Sequence, residues 1–130
     1  MNAANTASIY KNQQIMTAPP EELTFMLYNG AIGFIAESMK ALEDNNNQKS
    51  HNANLRAQNI IREFMATLDM QYEISKSLYQ MYDYIEYRLI QANMHKDKSQ
   101  LEEAKVLLQE LRDSWYQAMK LARSQRAVGK

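Results

Sequence analysis

The chain has no cysteine. Disulfides, thiolate nucleophiles and zinc–thiolate sites are therefore excluded, and the composition fits a reducing cytosol. Glycine and proline are scarce, at three and two residues. With plentiful Leu, Met, Ala, Gln, Glu and Lys, that scarcity predicts an all-α fold. Neither sign of charge prevails: 15 basic side chains face 15 acidic ones. This balance argues against a nucleic-acid binder, which carries a basic excess. No apolar run reaches the roughly 18 residues of a membrane span, so membrane insertion is not expected. The polar opening segment MNAANTASIY does not read as a signal peptide. The 130 residues suit one domain. A domain of that size buries about two thirds of its unfolded surface and needs no covalent staples.

The pattern along the chain divides it into a tail or cap at 1–20, a four-helix bundle at 21–123 and a basic tail at 124–130. Pro20 suits a first helical turn, where no N–H is required, and Glu21 and Glu22 suit the positive helix end. Helix 1 is predicted to about residue 42, helix 2 over about 51–68, helix 3 over about 72–94 and helix 4 over about 99–123. The run from Glu43 to Ser50 reads as a polar loop, and Asp97 or Ser99 as a cap for helix 4. Short links between long helices predict an antiparallel bundle.

Core stripes follow from spacings of three and four. Helix 4 offers Leu101, Ala104, Leu108, Leu111, Trp115, Ala118 and Ala122. Helix 3 offers Ile74, Leu78, Met81, Ile85, Leu89 and Ala92, and helix 2 offers Ala57, Ile61, Phe64 and Leu68 with Ile60 at the edge. Helix 1 carries two stripes, one with Leu23, Leu27 and Phe34, the other with Tyr28, Ile32, Ile35, Met39 and Leu42. A helix with one solvent face needs a single stripe. Either helix 1 is central or something covers its second face. Five of the eight tyrosines fall between Tyr72 and Tyr87, with Tyr79 and Tyr87 on the outer half of helix 3 and Tyr82 at its flank. Exposed tyrosine gives a large contact area at low entropic cost, and the nine methionines suit adaptable surfaces. Ile9, Tyr10 and Ile15 are the large apolar anchors of the polar tail.

Catalytic readings find little support. The residue three before His51 is Gln48, and three before His95 is Ala92. The Glu-x-x-His pairs of a di-iron bundle are thus absent, and no phosphate-cradling glycine loop occurs. Neither metal nor other cofactor is expected, and the chain is not read as an enzyme. A histidine phosphotransfer domain is a remote alternative, with Lys96 and Lys98 beside His95, although His95 falls at a helix end. A self-associating helical module is the other alternative, giving a monomer or a homodimer.

The segment from Tyr10 through Ile15, Thr17-Ala18, Pro20-Glu21-Glu22-Leu23 and Leu27-Tyr28-Asn29-Gly30-Ala31 resembles the N-terminal signature of the FliS family, the flagellar secretion chaperones for flagellin. The likeness continues in Arg56-Ala57-Gln58-Asn59-Ile60-Ile61 and Leu68-Asp69. It resumes in Leu78-Tyr79 with Tyr82-Asp83-Tyr84-Ile85, then in Leu107-Leu108 and Leu111-Arg112 with Trp115, covering about residues 10–115. Asn29 replaces a usual Asp, Pro19 a usual Ser or Asn, and Met70-Gln71-Tyr72 stands in place of a usual Gly-Gly.

The resemblance implies a cytoplasmic four-helix bundle with a loosely docked N-terminal tail. It implies binding of the disordered C-terminal segment of flagellin, no catalysis, and further partners among export-gate and regulatory proteins of the flagellum. On that reading the client-binding residues are Tyr28, Leu55, Ile60, Tyr79, Tyr82 and Asp83, with Ile9, Tyr10 and Ile15 as a tail gate.

Overall fold

The structure, a computed structural model, describes residues 19–128. Four helices follow one another: α1 (Pro20–Glu43), α2 (Asn47–Thr67), α3 (Glu73–His95) and α4 (Lys98–Val128). Among the described residues there is no strand.

Local chemistry sets each boundary. Pro20 opens α1, and Glu21 and Glu22 occupy its first turn. Asn45 takes a left-handed conformation, φ 57°, and turns the chain. The Asn46 side chain then accepts the Lys49 N–H at 3.1 Å, so α2 starts at Asn47 rather than near residue 51. After Thr67 the backbone becomes extended at Leu68. The Asp69 carbonyl accepts the Ser75 hydroxyl at 2.6 Å, which fixes the α2–α3 link without the missing Gly-Gly. Lys96, φ 51°, closes α3 in the left-handed region, and its N–H reaches the Ala92 carbonyl. Asp97 caps α4, accepting the Ser99 N–H at 2.9 Å and the Ser99 hydroxyl at 2.6 Å. These bonds, with one from Gln100, hold the Asp97 carboxyl below its usual range.

Links of two to five residues force antiparallel neighbours. α1 packs against α2 and α4, and α3 packs against the same two, giving a four-sided bundle. Ion pairs report the directions: Glu43 at the end of α1 meets Lys98 at the start of α4, and Glu22 at the start of α1 meets Arg123 near the end of α4. The two stripes of α1 are buried to different depths. Tyr28, Ile32, Ile35 and Met39 enter the core, while Leu23, Leu27 and Phe34 are half-buried.

The centre is made of Ile35, Ile61, Ile85, Leu89, Leu101 and Leu108, with Ala31, Ala57 and Ala104 letting the backbones approach. Toward the end holding the α1–α2 and α3–α4 links the interior turns polar. The Ser38 hydroxyl meets the Ser50 hydroxyl at 2.8 Å. Asn54 Nδ2 donates to the Leu89 carbonyl at 3.0 Å, and Gln58 Nε2 donates to Asn54 Oδ1 at 2.7 Å. No buried side-chain polar atom among the described residues lacks a partner.

Two core stripes differ from the sequence prediction. On α4, Leu111 and Trp115 are half-buried, Ala118 is exposed and Met119 is buried instead. A helix of 3.6 residues per turn drifts about 20° per heptad against a seven-residue repeat, so a long stripe moves to the next position. On α3, Ile74 is 66% exposed, Met81 is half-buried and Tyr82 takes the interior position. α4 also continues to Val128, beyond the predicted end near residue 123. Arg123 and Arg126 tie its last turns to Glu22 and Glu21 of α1.

Candidate docking cleft

At the end opposite the polar interior the four helices leave a cleft of about 570 Å³. That volume falls within the range of about 300–1,000 Å³ usual for ligand sites. Its walls come from the start of α1 (Thr24, Tyr28), the end of α2 (Phe64, Leu68), the start of α3 (Ile74, Leu78, Tyr82) and the far part of α4 (Leu111, Trp115). The α2–α3 link closes one side with Asp69 and Tyr72. The cleft exists because the stripes of α3 and α4 continue to a level where the chain is already turning at residues 68–72 and has no apolar stripe to offer them.

Aromatic rings form the floor. Phe64 lies between Tyr28, at a centroid distance of 4.7 Å, and Tyr82, at 5.3 Å. The Tyr28 and Tyr82 hydroxyls meet at 2.5 Å. Burial pushes both phenols up from their ordinary value; for Tyr82 the bond to Tyr28 adds to this, whereas for Tyr28 the bond to Tyr82 opposes it. The rim is polar. Trp115 Nε1 donates to the Glu21 carbonyl at 2.9 Å, and Arg126 pairs with Glu21 at 3.1 Å.

The expected site residues fall in three places. Tyr28 and Tyr82 meet at the cleft floor, and their expected exposure is corrected: each is only 3% exposed. A helical stripe with Tyr at 82 satisfies the same spacing as one with Met at 81, and the buried hydroxyl is tolerated because Tyr28 partners it. Tyr79, 42% exposed, and Asp83 lie on the outer face of α3. Tyr79 lines a shallow depression there with Met65 and Arg62, the latter bridging to Glu86 at 3.0 Å. Ile60 and Leu55 belong to α2 but not to one face: a Cβ placed on Gly30 of α1 would stand 3.5 Å from Ile60 Cδ1, whereas Leu55, five residues earlier and so about 140° round the helix, is 40% exposed. Ile9, Tyr10 and Ile15 lie outside the described residues. The sequence spacing assigns Phe64, Leu68, Leu78, Leu111 and Trp115 to the core, and Ile74 with them. Their place on a cleft depends on where α2 stops.

The histidines stand apart from the cleft. His51 Nδ1 meets Asn93 Nδ2 at 2.8 Å, and His95 occupies the last turn of α3. Among the described residues no group of His, Asp and Glu is placed to hold a metal, and no helix is long and apolar enough to cross a membrane.

Fold and cleft together define an all-helical module with an apolar recess at one end. The chain matches the family model described as "Flagellar protein FliS" over residues 1–122. It is 38% identical over 126 residues to the flagellar secretion chaperone FliS of Bacillus subtilis, covering 97% of this chain and 95% of the relative. It is 32% identical over 114 residues to the protein of that name from Salmonella typhimurium, covering 85% and 84%. With its Escherichia coli counterpart it shares 29% over 116 residues, covering 87% and 85%. The chain belongs to the FliS family of flagellar proteins.

Proposed function

We propose that this chain is a cytoplasmic secretion chaperone that binds the disordered C-terminal segment of flagellin, prevents its premature polymerisation and supports delivery to the flagellar type III export apparatus. The observation that carries this reading is the apolar cleft at one end of a bundle whose relatives are named secretion chaperones. An amphipathic segment that pairs with its own kind in a filament exposes an apolar stripe while free. A preformed apolar recess offers that stripe a substitute partner. Ordering a disordered client costs several kcal/mol, so contact must extend beyond the cleft. The exposed flank of Tyr79 and Asp83, with Leu55 and Ile60 on α2, supplies further surface. Export-gate and regulatory proteins of the flagellum are proposed as additional partners.

Pull-down of full-length and C-terminally truncated flagellin tests the reading. Capture of the full-length protein and loss of the truncated one is expected; equal capture of both overturns it. Light scattering should give a 1:1 complex, whereas a dimer indifferent to the client favours self-association. Pro19 enters the bundle next to the cleft, because its carbonyl accepts Leu23 N–H at 2.9 Å in the turn that also carries Glu21 and Thr24. Ile9, Tyr10 and Ile15 are thereby proposed as a gate that competes with the client. Deleting residues 1–16 then tightens client binding or leaves it unchanged, and a substantial loss refutes the gate.

A further inference from the structure

The Tyr28–Tyr82 pair holds one hydrogen too many for itself. Two phenols bring two O–H hydrogens, and only one can lie between their oxygens. Among the described residues each hydroxyl has the other as its sole hydrogen-bond partner. The threonine hydroxyls that line the same cleft bond within their own helices, Thr24 to the Pro20 carbonyl at 3.2 Å and Thr67 to the Glu63 carbonyl at 2.9 Å, and neither is bonded to a phenol. Both tyrosines are closed to bulk water except through the cleft they line. A buried donor without an acceptor is costly, so the surplus hydrogen calls for an acceptor brought by whatever fills the cleft.

We propose, resting on the client-binding reading above, that this pair is the polar reading point of the cleft and donates its surplus hydrogen to a neutral carbonyl of the bound client segment. The last carbonyls of a short helix lack partners of their own and are acceptors of that kind. A carboxylate does not fit. Burying one here would need a cation, and Arg123 and Arg126 at the rim are engaged by Glu22 and Glu21. The pair thereby sets the register of the client. An apolar segment that slides by one residue moves its carbonyl away and leaves the donor unpaired.

The test is calorimetric titration of a synthetic peptide carrying the C-terminal segment of flagellin into the wild-type chain, Tyr28→Phe, Tyr82→Phe and the double variant. Either single variant keeps one hydroxyl, which is released from its neighbour and donates to the same carbonyl. Affinity within about threefold of wild type is expected for both, because the bond between the helices is lost but the donor is kept. The double variant removes the donor and should bind about tenfold more weakly, with its far-UV helix signal intact. A double variant within twofold of wild type overturns the proposal while leaving client binding standing. Single variants as weak as the double also overturn it, since the loss would then follow the bond between the tyrosines. Wild-type protein that ignores the peptide removes the client reading and this proposal together. Should the double variant fail to fold, wild-type protein labelled with ¹³C at tyrosine Cζ gives a second reading. A shift of the two buried resonances on adding peptide is expected, and unchanged resonances refute the donor role.

Discussion

Phe64 is the side chain whose removal should reveal most about how the cleft floor is held. It is buried, contributed by α2, and packed between the rings of Tyr28 on α1 and Tyr82 on α3. Phe→Ala substitutions in cores cost about 3–5 kcal/mol. Here the void would open into the existing cleft and admit solvent, which lowers the cavity contribution. Two aromatic pairs worth about 0.5–1.5 kcal/mol each disappear, which raises the cost. We therefore expect Phe64→Ala to lose about 3–4 kcal/mol, a large part of the roughly 5–15 kcal/mol that stabilises a domain. The melting temperature should fall by about 10–15 °C in a protein of this size. Phe64→Leu keeps most of the volume and should lose about 1–1.5 kcal/mol. Urea unfolding followed at 222 nm measures both, and an unchanged slope shows that the unfolded state is unaffected. A Phe64→Ala cost below about 1 kcal/mol would refute the assignment of Phe64 as the packed centre of the floor.

Two further expectations concern stability alone. The folded state holds both Tyr28 and Tyr82 protonated above their ordinary value of 10.0. The unfolded chain ionises first, so the contribution is complete below pH 10 and is lost as pH rises above it. Each group steepens the loss by up to about 1.4 kcal/mol per pH unit. Urea midpoints between pH 9 and pH 11 should fall more steeply for wild type than for the Tyr28→Phe/Tyr82→Phe variant; equal slopes contradict the burial argument. Gly30 lies within α1, and a Cβ there would make ordinary contact with Ile60 Cδ1 at 3.5 Å. Gly30→Ala should therefore stabilise by about 0.5–1 kcal/mol, and destabilisation in the same assay would mean that α1 and α2 lie closer than described.

Much of the architecture was legible because it depends on local chemistry. Stripes at spacings of three and four fixed four helices, and Asp97 at the start of α4 could be read as a cap from its type and place. The failures have separate causes. Asn46 begins α2 early because its side chain folds onto Lys49, while its neighbours Asn45 and Asn47 look equally suited in the sequence. Tyr82 is interior because a hydroxyl 54 positions earlier in the chain meets its own. The drift of the α4 stripe from Ala118 to Met119 accumulates over many turns. The cleft itself is a property of helix ends: Ile74, Leu78 and Trp115 carry core-like periodicity, and only the stopping point of α2 decides that they border a recess.

The Tyr28–Tyr82 bond joins α1 to α3, which stand at opposite corners of the bundle. Four rods touching only along their sides resemble a square frame with hinged corners, free to collapse sideways into a rhombus. A brace across one diagonal removes that freedom. This hydroxyl pair is such a brace, placed at the cleft end rather than at the polar end, and it works beside the Phe64 ring, which is packed between the same two tyrosines.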